Sequence, residues 1–293
     1  MMKESNVTIV VPVYADWPSL KDCIVSLKEF IDASKHQILL VNDCGPEADV
    51  IEKNIRGAIK GSPGFKYFRN KTNLGFIRTC NRAVMELDKT NNDILLLNSD
   101  TKVTGGFLEE MVAVMGSNNK IAAVSPRSNN ATIATVPLSA MPQKGIDPRK
   151  SYKLYTKLKE KLPKYVEVPT AHGFCMLIRR SVIRRFGLFD EAFGKGYGEE
   201  NDFCMRISEH GYKSVLANRA YVYHMEARSF TLERKSELIK QNAKILRKRW
   251  PTYKQLVDGY IKEALSREEE LLGKPSYISR LKGKLTNLAS KYR

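Results

Sequence analysis

The residues that can do chemistry fall into a few short stretches. Asn98-Ser99-Asp100 follows the apolar run Asp93–Leu97, and a carboxylate in that place can hold a hard cation and the phosphates it carries. Glu199, Glu200 and Asp202 put three carboxylates into four residues, directly after the glycine-rich Gly194–Gly198. A carboxylate near a helix start suits general-base work, and mobile glycines let a loop close over a substrate. The adjacent Glu199 and Glu200 cannot face the same way: one can enter a cleft while the other caps the helix or pairs with Arg206. Asp43 stands after a second apolar run, placed to bond a base edge. Asn73-Leu74-Gly75 leads into Arg78 and Asn81, offering helix-terminal N–H groups and a guanidinium to a diphosphate. His224, at the end of Ala220–His224, can complete a divalent-metal site with Asp100, and carboxylate plus imidazole suit Mn²⁺ or Mg²⁺.

Each stretch also has a plainer reading. Asn98 and Asp100 can turn the chain and cap a helix. A lone histidine is more often structural than a ligand, and paired glutamates often just decorate a surface helix. What favours chemistry is convergence. The apolar runs Val7–Tyr14, Gln37–Val41, Lys66–Arg69 and Asp93–Leu97 alternate with helical segments, the pattern of βαβ units and a mostly parallel sheet flanked by helices. Ligands of such sheets lie beyond the carboxyl ends of the strands, where Pro12–Tyr14, Asp43, Asn73–Gly75 and Asn98–Asp100 all fall.

Asp16 is placed to cap a helix over 19–33, and further helices are expected at 47–60, from Phe76 to Lys89, at 105–116, 151–162, 180–186 and from Glu200 to His210. Strands are expected at Ile121–Ser125, Phe174–Ile178, Tyr212–Ala217 and Ala220–His224. Residues 127–150 read as a long loop, followed by a short basic helix. The last part is helical. Tyr253, Leu256, Val257, Tyr260, Ile261 and Ala264 form one stripe. Tyr277, Leu281, Leu285, Leu288 and Tyr292 form another, flanked by basic residues that can lie on a membrane or pack on the domain.

The net charge is +17, concentrated in residues 149–164 and 231–293, and implies an anionic partner or a solubilising surface. No apolar run is long enough to span a bilayer and no signal peptide is evident. Five scattered cysteines without a zinc pattern read as reduced thiols, so the expected location is cytoplasmic, with peripheral contact to the inner membrane face through the basic helices. No nucleic-acid recognition module is visible, and nucleic acid is not an expected partner.

In this order VPVY, the aspartate after the second strand, NLGFIRTCN, LLLNSDT, SPRSNNATI, GFCMLIRR, GLFDEAFGKGYGEENDFCMR and YVYH resemble a glycosyltransferase family 2 enzyme of the GT-A fold, over residues 6–230. The likeness is greatest to rhamnosyltransferase-like members that build bacterial surface polysaccharides. The resemblance implies a GT-A catalytic domain over 1–230, with a nucleotide-sugar half to about 103, an acceptor half from 104, and a basic helical extension over 231–293. It also implies inverting transfer from a UDP- or dTDP-sugar to a glycan or lipid-linked acceptor. Pro12, Tyr14, Asp43, Asn73, Gly75 and Arg78 would hold the nucleotide; Asn98, Ser99 and Asp100 occupy the family's DxD position, with Asp100 the metal ligand. Glu200 would be the base, with Glu199 and Asp202 open alternatives, His224 matches the family's late metal- or phosphate-binding histidine, and residues 127–165 would build the acceptor cleft, where Asn129 and Asn130 would bond sugar hydroxyls. Three departures stand out: Asn98 for the first Asp of DxD, Glu for Asp at the base position, and Met225-Glu226-Ala227 where many relatives have glycines. The competing readings are a nucleotidyltransferase, disfavoured because no lysine-rich glycine signature follows the first strand, and a non-catalytic nucleotide-sugar sensor or scaffold.

Overall fold

The computed structural model describes residues 6–140, 146–225 and 232–273. Its centre is one sheet, with strands in the order β3-β2-β1-β4-β8-β6-β9-β5 and β7 paired to β9. The first four, β1 (Val7–Val13), β2 (Gln37–Asn42), β3 (Phe65–Arg69) and β4 (Asp93–Leu97), are parallel. Alternate residues of these runs face opposite layers, as a strand's twofold period requires. Ile9, Val11 and Leu95 join one core with α1 (Trp17–Phe30), α2 (Ala48–Ala58) and α4 (Phe107–Gly116). Val10, Ile94 and Leu96 join a second with α3 (Phe76–Arg82). Burial on both faces explains why these strands read as continuous apolar runs.

Asp16 caps α1 as expected, accepting the N–H and hydroxyl of Ser19 at 3.4 and 2.8 Å. The helix expected from Phe76 to Lys89 instead loosens after α3 into a π-helical turn, Ala83–Leu87. Beside it the buried Asp88 carboxylate pairs with Arg180, whose guanidinium also donates to the carbonyls of Val84 and Asn92.

The second half is mixed. The short β5 (Thr101–Val103) lies directly after Asp100; β6 (Ile121–Arg127), α5 (Pro148–Leu158), β7 (Tyr165–Val168), β8 (Cys175–Ile178), α6 (Arg180–Phe186), α7 (Glu199–Ser208) and β9 (Lys213–His224) follow. β8 runs antiparallel between β4 and β6, while β9 runs parallel to β6 and antiparallel to β5 and β7. The two last strands expected are one strand: the buried Asn218 at their join bonds Pro163 and Arg127, and the pairing with β6 skips there from Ala217 to Tyr221. Within 127–150, two 3₁₀ turns replace the expected featureless loop.

Two helices close the described chain, α8 (Leu232–Arg249) and α9 (Tyr253–Leu271). Both dock on the sheet domain. Leu246 is buried in the second core with Ile245, Trp250 and Tyr253 beside it, and Val257, Tyr260 and Ile261 pack on the first. Leu256, expected in that stripe, is 48% exposed. These contacts pack one side of each helix on the domain, while Ile239 and Leu256 remain exposed. The amphipathic segment from Tyr277 to Tyr292 lies outside the described residues, as does Glu226-Ala227. No helix among the described residues is long and apolar enough to cross a membrane.

Candidate active site

At the end of β2 the backbone N–H of Asp43 bonds the Val13 carbonyl at 2.7 Å, which fixes the side chain beside the neighbouring strand end. Its carboxylate does not point at open space. Oδ1 accepts from Asn70 Nδ2 and the Leu74 N–H, both at 2.8 Å, and Oδ2 accepts the Gly75 N–H at 2.9 Å. Asn73 Nδ2 donates to the Asp43 carbonyl at 3.2 Å. The loop expected to meet a diphosphate is thus built around Asp43, and the carboxylate expected to read a base edge instead organises that loop. Pro12 is the penultimate residue of β1 and Tyr14 follows the strand; a Cβ on Gly45 would lie 1.8 Å from the Tyr14 carbonyl oxygen, so only glycine fits there. Arg78 is half exposed and pairs with Glu191 at 2.8 Å. Asn81 exchanges two hydrogen bonds with the Phe189 backbone, tying α3 to the segment before the glycine loop.

At the end of β4, Asn98 donates its N–H to the Phe174 carbonyl at 2.8 Å, and its own carbonyl accepts from the Thr101 hydroxyl. Ser99 and Asp100 form the turn into β5, whose pairing with β9 sets Thr101 opposite His224. Asp100 Oδ1 consequently lies 3.4 Å from His224 Nε2, both side chains largely buried. His224 Nδ1 is 2.7 Å from the Asn130 carbonyl, which can only accept, so the Nδ1 proton is fixed there. In the neutral ring Nε2 is then an acceptor turned toward the Asp100 carboxylate, so the two groups could hold one cation between them. The donor set of one carboxylate oxygen and one imidazole nitrogen fits Mn²⁺ or Mg²⁺. Among the described residues no third His, Cys, Asp or Glu completes a cluster, so the remaining positions fall to ligand oxygens or water.

The Asn129 amide, expected to bond sugar hydroxyls, is instead turned to the protein. The buried Asn129 amide exchanges two hydrogen bonds with the His224 backbone at 2.9 and 3.0 Å, and the Asn130 carbonyl orients the ring. Both brace the histidine, in the manner of groups that set the tautomer of a metal-binding imidazole.

The three carboxylates of α7 separate cleanly. Asp202 is fully buried, its oxygens accepting from Arg206 Nε at 2.9 Å, Arg249 Nη1 at 3.1 Å and Trp250 Nε1 at 2.9 Å. It locks α7 to α8, and Arg206, expected to serve a glutamate, serves Asp202. Glu199 is 5% exposed, and its Oε2 is buried without a partner among the described residues. Burial, then the neighbouring Glu200 charge, pushes its carboxyl well above the usual range. Glu200 is partly exposed and accepts the Gly198 N–H at 3.3 Å; burial raises its pKa as well. It is the one of the three with both surface and a lone pair to offer.

The glycine loop is held from two sides. Asn242 of α8 donates to the carbonyls of Phe193 and Gly196 at 2.8 and 2.7 Å, and a Cβ on Gly75 would sit 3.4 Å from Lys195. Two further residues were not anticipated. His172 precedes Gly173, whose added Cβ would be 3.7 Å from Glu200, and its ring stands edge-on to Phe174, which stacks on His224 at 5.0 Å between centroids. Burial, then His224, pushes His172 down to about 3, so it stays neutral. Tyr253, expected only as a member of an apolar stripe, packs on the second core, and burial, then the Glu200 charge, raises the pKa of its hydroxyl. The segment Thr170–Phe174 therefore joins the Asp100–His224 pair to Glu200.

An α/β sheet of this order, with these loops at its strand ends, is a GT-A glycosyltransferase fold. Two solved structures superpose on 98% of the chain: the mannosyltransferase PcManGT from Pyrobaculum calidifontis in complex with GDP-Man and Mn²⁺ (TM-score 0.62, 16% identity, 81% of that chain), and GalNAc-T7 with UDP, GalNAc and Mn²⁺ (TM-score 0.59, 15% identity, 58% of that chain). At such identities they show the fold alone. The family model for glycosyl transferase family 2 matches residues 8–187, and the chain belongs to that family. It is also 32% identical over 121 residues to the low-salt glycan biosynthesis hexosyltransferase Agl10 of Haloferax volcanii, a match spanning 41% of this chain and 38% of that relative.

Proposed function

We propose that the protein is an inverting, metal-dependent glycosyltransferase that moves a hexosyl or deoxyhexosyl group from a UDP- or dTDP-sugar to a glycan or lipid-linked acceptor in surface-polysaccharide assembly. The observation that carries the reading is the placement of Glu200 and the Asp100–His224 pair beside two adjacent residues, Gly173 and Phe174. Donor phosphates would lie between the Asp43-organised loop and Asp100, where the N–H groups at the start of α3 favour negative charge. A bound divalent cation would supply neutralisation of the diphosphate as it leaves. Glu200 takes the proton of the acceptor hydroxyl; the oxygen forms its bond to the anomeric carbon from the face opposite the leaving group. The bond to the diphosphate breaks with its electron pair, which inverts the centre. The raised pKa of Glu200 suits a base that must also release the proton. The choice of sugar and acceptor is supported by the sequence resemblance and by the glycan-assembly role that the name of the Haloferax relative states.

The test is a panel of UDP-, dTDP- and GDP-sugars with Mn²⁺ or Mg²⁺, with and without lipid extract, reading released nucleoside diphosphate and the anomeric configuration of the product. Release from one donor, abolished by chelator and by Glu200→Gln, is expected. Saturable donor binding without release, unchanged in Glu200→Gln, would replace the transferase by a nucleotide-sugar sensor or scaffold.

A further inference from the structure

A cavity of about 370 Å³ opens between β6, the α5–β7 connection and α9, on residues that the site above does not use. Its walls are mostly aliphatic, among them Val136, Leu158, Leu162, Val166 and Leu271. Set into them is Arg127, the last residue of β6, only 6% exposed. A guanidinium carries five N–H donors. Nε donates to Asn218 Oδ1 at 2.8 Å, and among the described residues the other four meet no acceptor. The carboxylates at the cavity are engaged elsewhere: Glu263 with Arg267, Glu167 with Lys213, and Glu268 with the Leu138 N–H. In the same wall the Tyr260 hydroxyl is buried without a partner among the described residues.

Buried guanidinium groups are ordinarily matched by a carboxylate or phosphate, because a desolvated charge without one is costly. Among the described residues no carboxylate forms an ion pair with Arg127, and aliphatic side chains share the lining with Glu167, Glu263, Glu268 and Arg267. We propose that this cavity binds a small anionic amphiphile, its single carboxylate or phosphate group against Arg127 and Tyr260 and its short aliphatic body along Leu158, Leu162 and Leu271. The volume is within the range of small-molecule sites. Arg127 leads directly into Ser128–Asn130, so occupancy stiffens the segment that braces His224, yet the ligand itself shares no contact with the nucleotide loops.

The probes are octanoate and octyl phosphate, with octan-1-ol and inorganic phosphate as controls, titrated calorimetrically into the full chain. Both anionic amphiphiles are expected to saturate a single site and to raise the melting temperature. Arg127→Gln is expected to weaken them by about tenfold or more, and Tyr260→Phe by a smaller factor. Leu162→Trp fills the cavity while leaving Arg127 in place, so it is expected to abolish binding even if Arg127→Gln does not fold. A preference for octanoate over octyl phosphate, or the reverse, tells a carboxylate from a phosphate ligand within the same proposal. Octan-1-ol binding as tightly as the anions, inorganic phosphate alone binding as tightly as octyl phosphate, no binding of either amphiphile, or unchanged affinity in Leu162→Trp would each overturn it.

Discussion

His224 gives its Nδ1 proton to the Asn130 carbonyl at 2.7 Å and turns Nε2 to Asp100 at 3.4 Å. Ring orientation is thus set by the backbone three residues beyond β6 and by the Asn129 amide, before any ligand arrives. Asn129→Ala should weaken Mn²⁺ binding by about 10- to 100-fold, measured in the presence of a nucleoside diphosphate, and His224→Ala should weaken it further. Unchanged Mn²⁺ affinity in both variants would remove the pair from metal binding.

Glu200 and Asp202 lie on one helix and should respond oppositely to amide substitution. Glu200→Gln should lower kcat by about 10²- to 10⁴-fold at nearly unchanged stability. Asp202→Asn breaks a buried contact with Arg206, Arg249 and Trp250 and should lower the unfolding free energy by about 3–5 kcal/mol. Urea unfolding and steady-state kinetics on the two variants separate the roles; a stable, inactive Asp202→Asn protein would contradict this assignment.

Asp43 accepts three hydrogen bonds from Asn70, Leu74 and Gly75. An asparagine turns a donor toward at least one of those donors. Asp43→Asn should cost about 2 kcal/mol in chemical denaturation and loosen the amides of Leu74 and Gly75 to hydrogen exchange. Full protection of those amides in the variant would show that the loop holds itself.

The buried Glu199 gives the protein a pH-dependent weakness. Its folded-state pKa is raised above the unfolded value near 4.5, so its contribution to stability is complete below that value and is lost as pH rises through the folded one. Glu199→Gln removes this dependence. The urea midpoint of the variant should exceed that of the wild type at about pH 8 and converge with it near pH 4. A gap that widens toward acid would mean that Glu199 is held charged in the fold.

Much of this was legible in the chain. β1 to β4 announce themselves as buried apolar runs, and the strand-end rule drew Asp43, Asn73–Gly75 and Asp100 to one edge. The finer partition was not. Nothing in the spelling Glu-Glu-Asn-Asp says which carboxylate meets Arg249 and Trp250, since those partners stand almost fifty residues away. Asn129 resembles a sugar-binding amide until β9 is seen to end against it. His172 carries no local signature because its meaning comes from pairing β8 with β4. β5 and β7 are too short for their period to show.

The double hydrogen bond from Asn242 to the carbonyls of Phe193 and Gly196 has a consequence for the order in which the protein is made. A chain still on the ribosome and ending at β9 already contains every strand of the described sheet. Yet the glycine loop lacks Asn242, and α7 lacks Arg249 and Trp250. Domains condense from the amino terminus as synthesis proceeds. The nascent sheet can therefore form first, with the loop beside Glu200 left open until some thirty further residues have emerged. Maturation of the candidate site is a late event of translation, and a premature stop before α8 would leave a folded sheet without a finished catalytic edge.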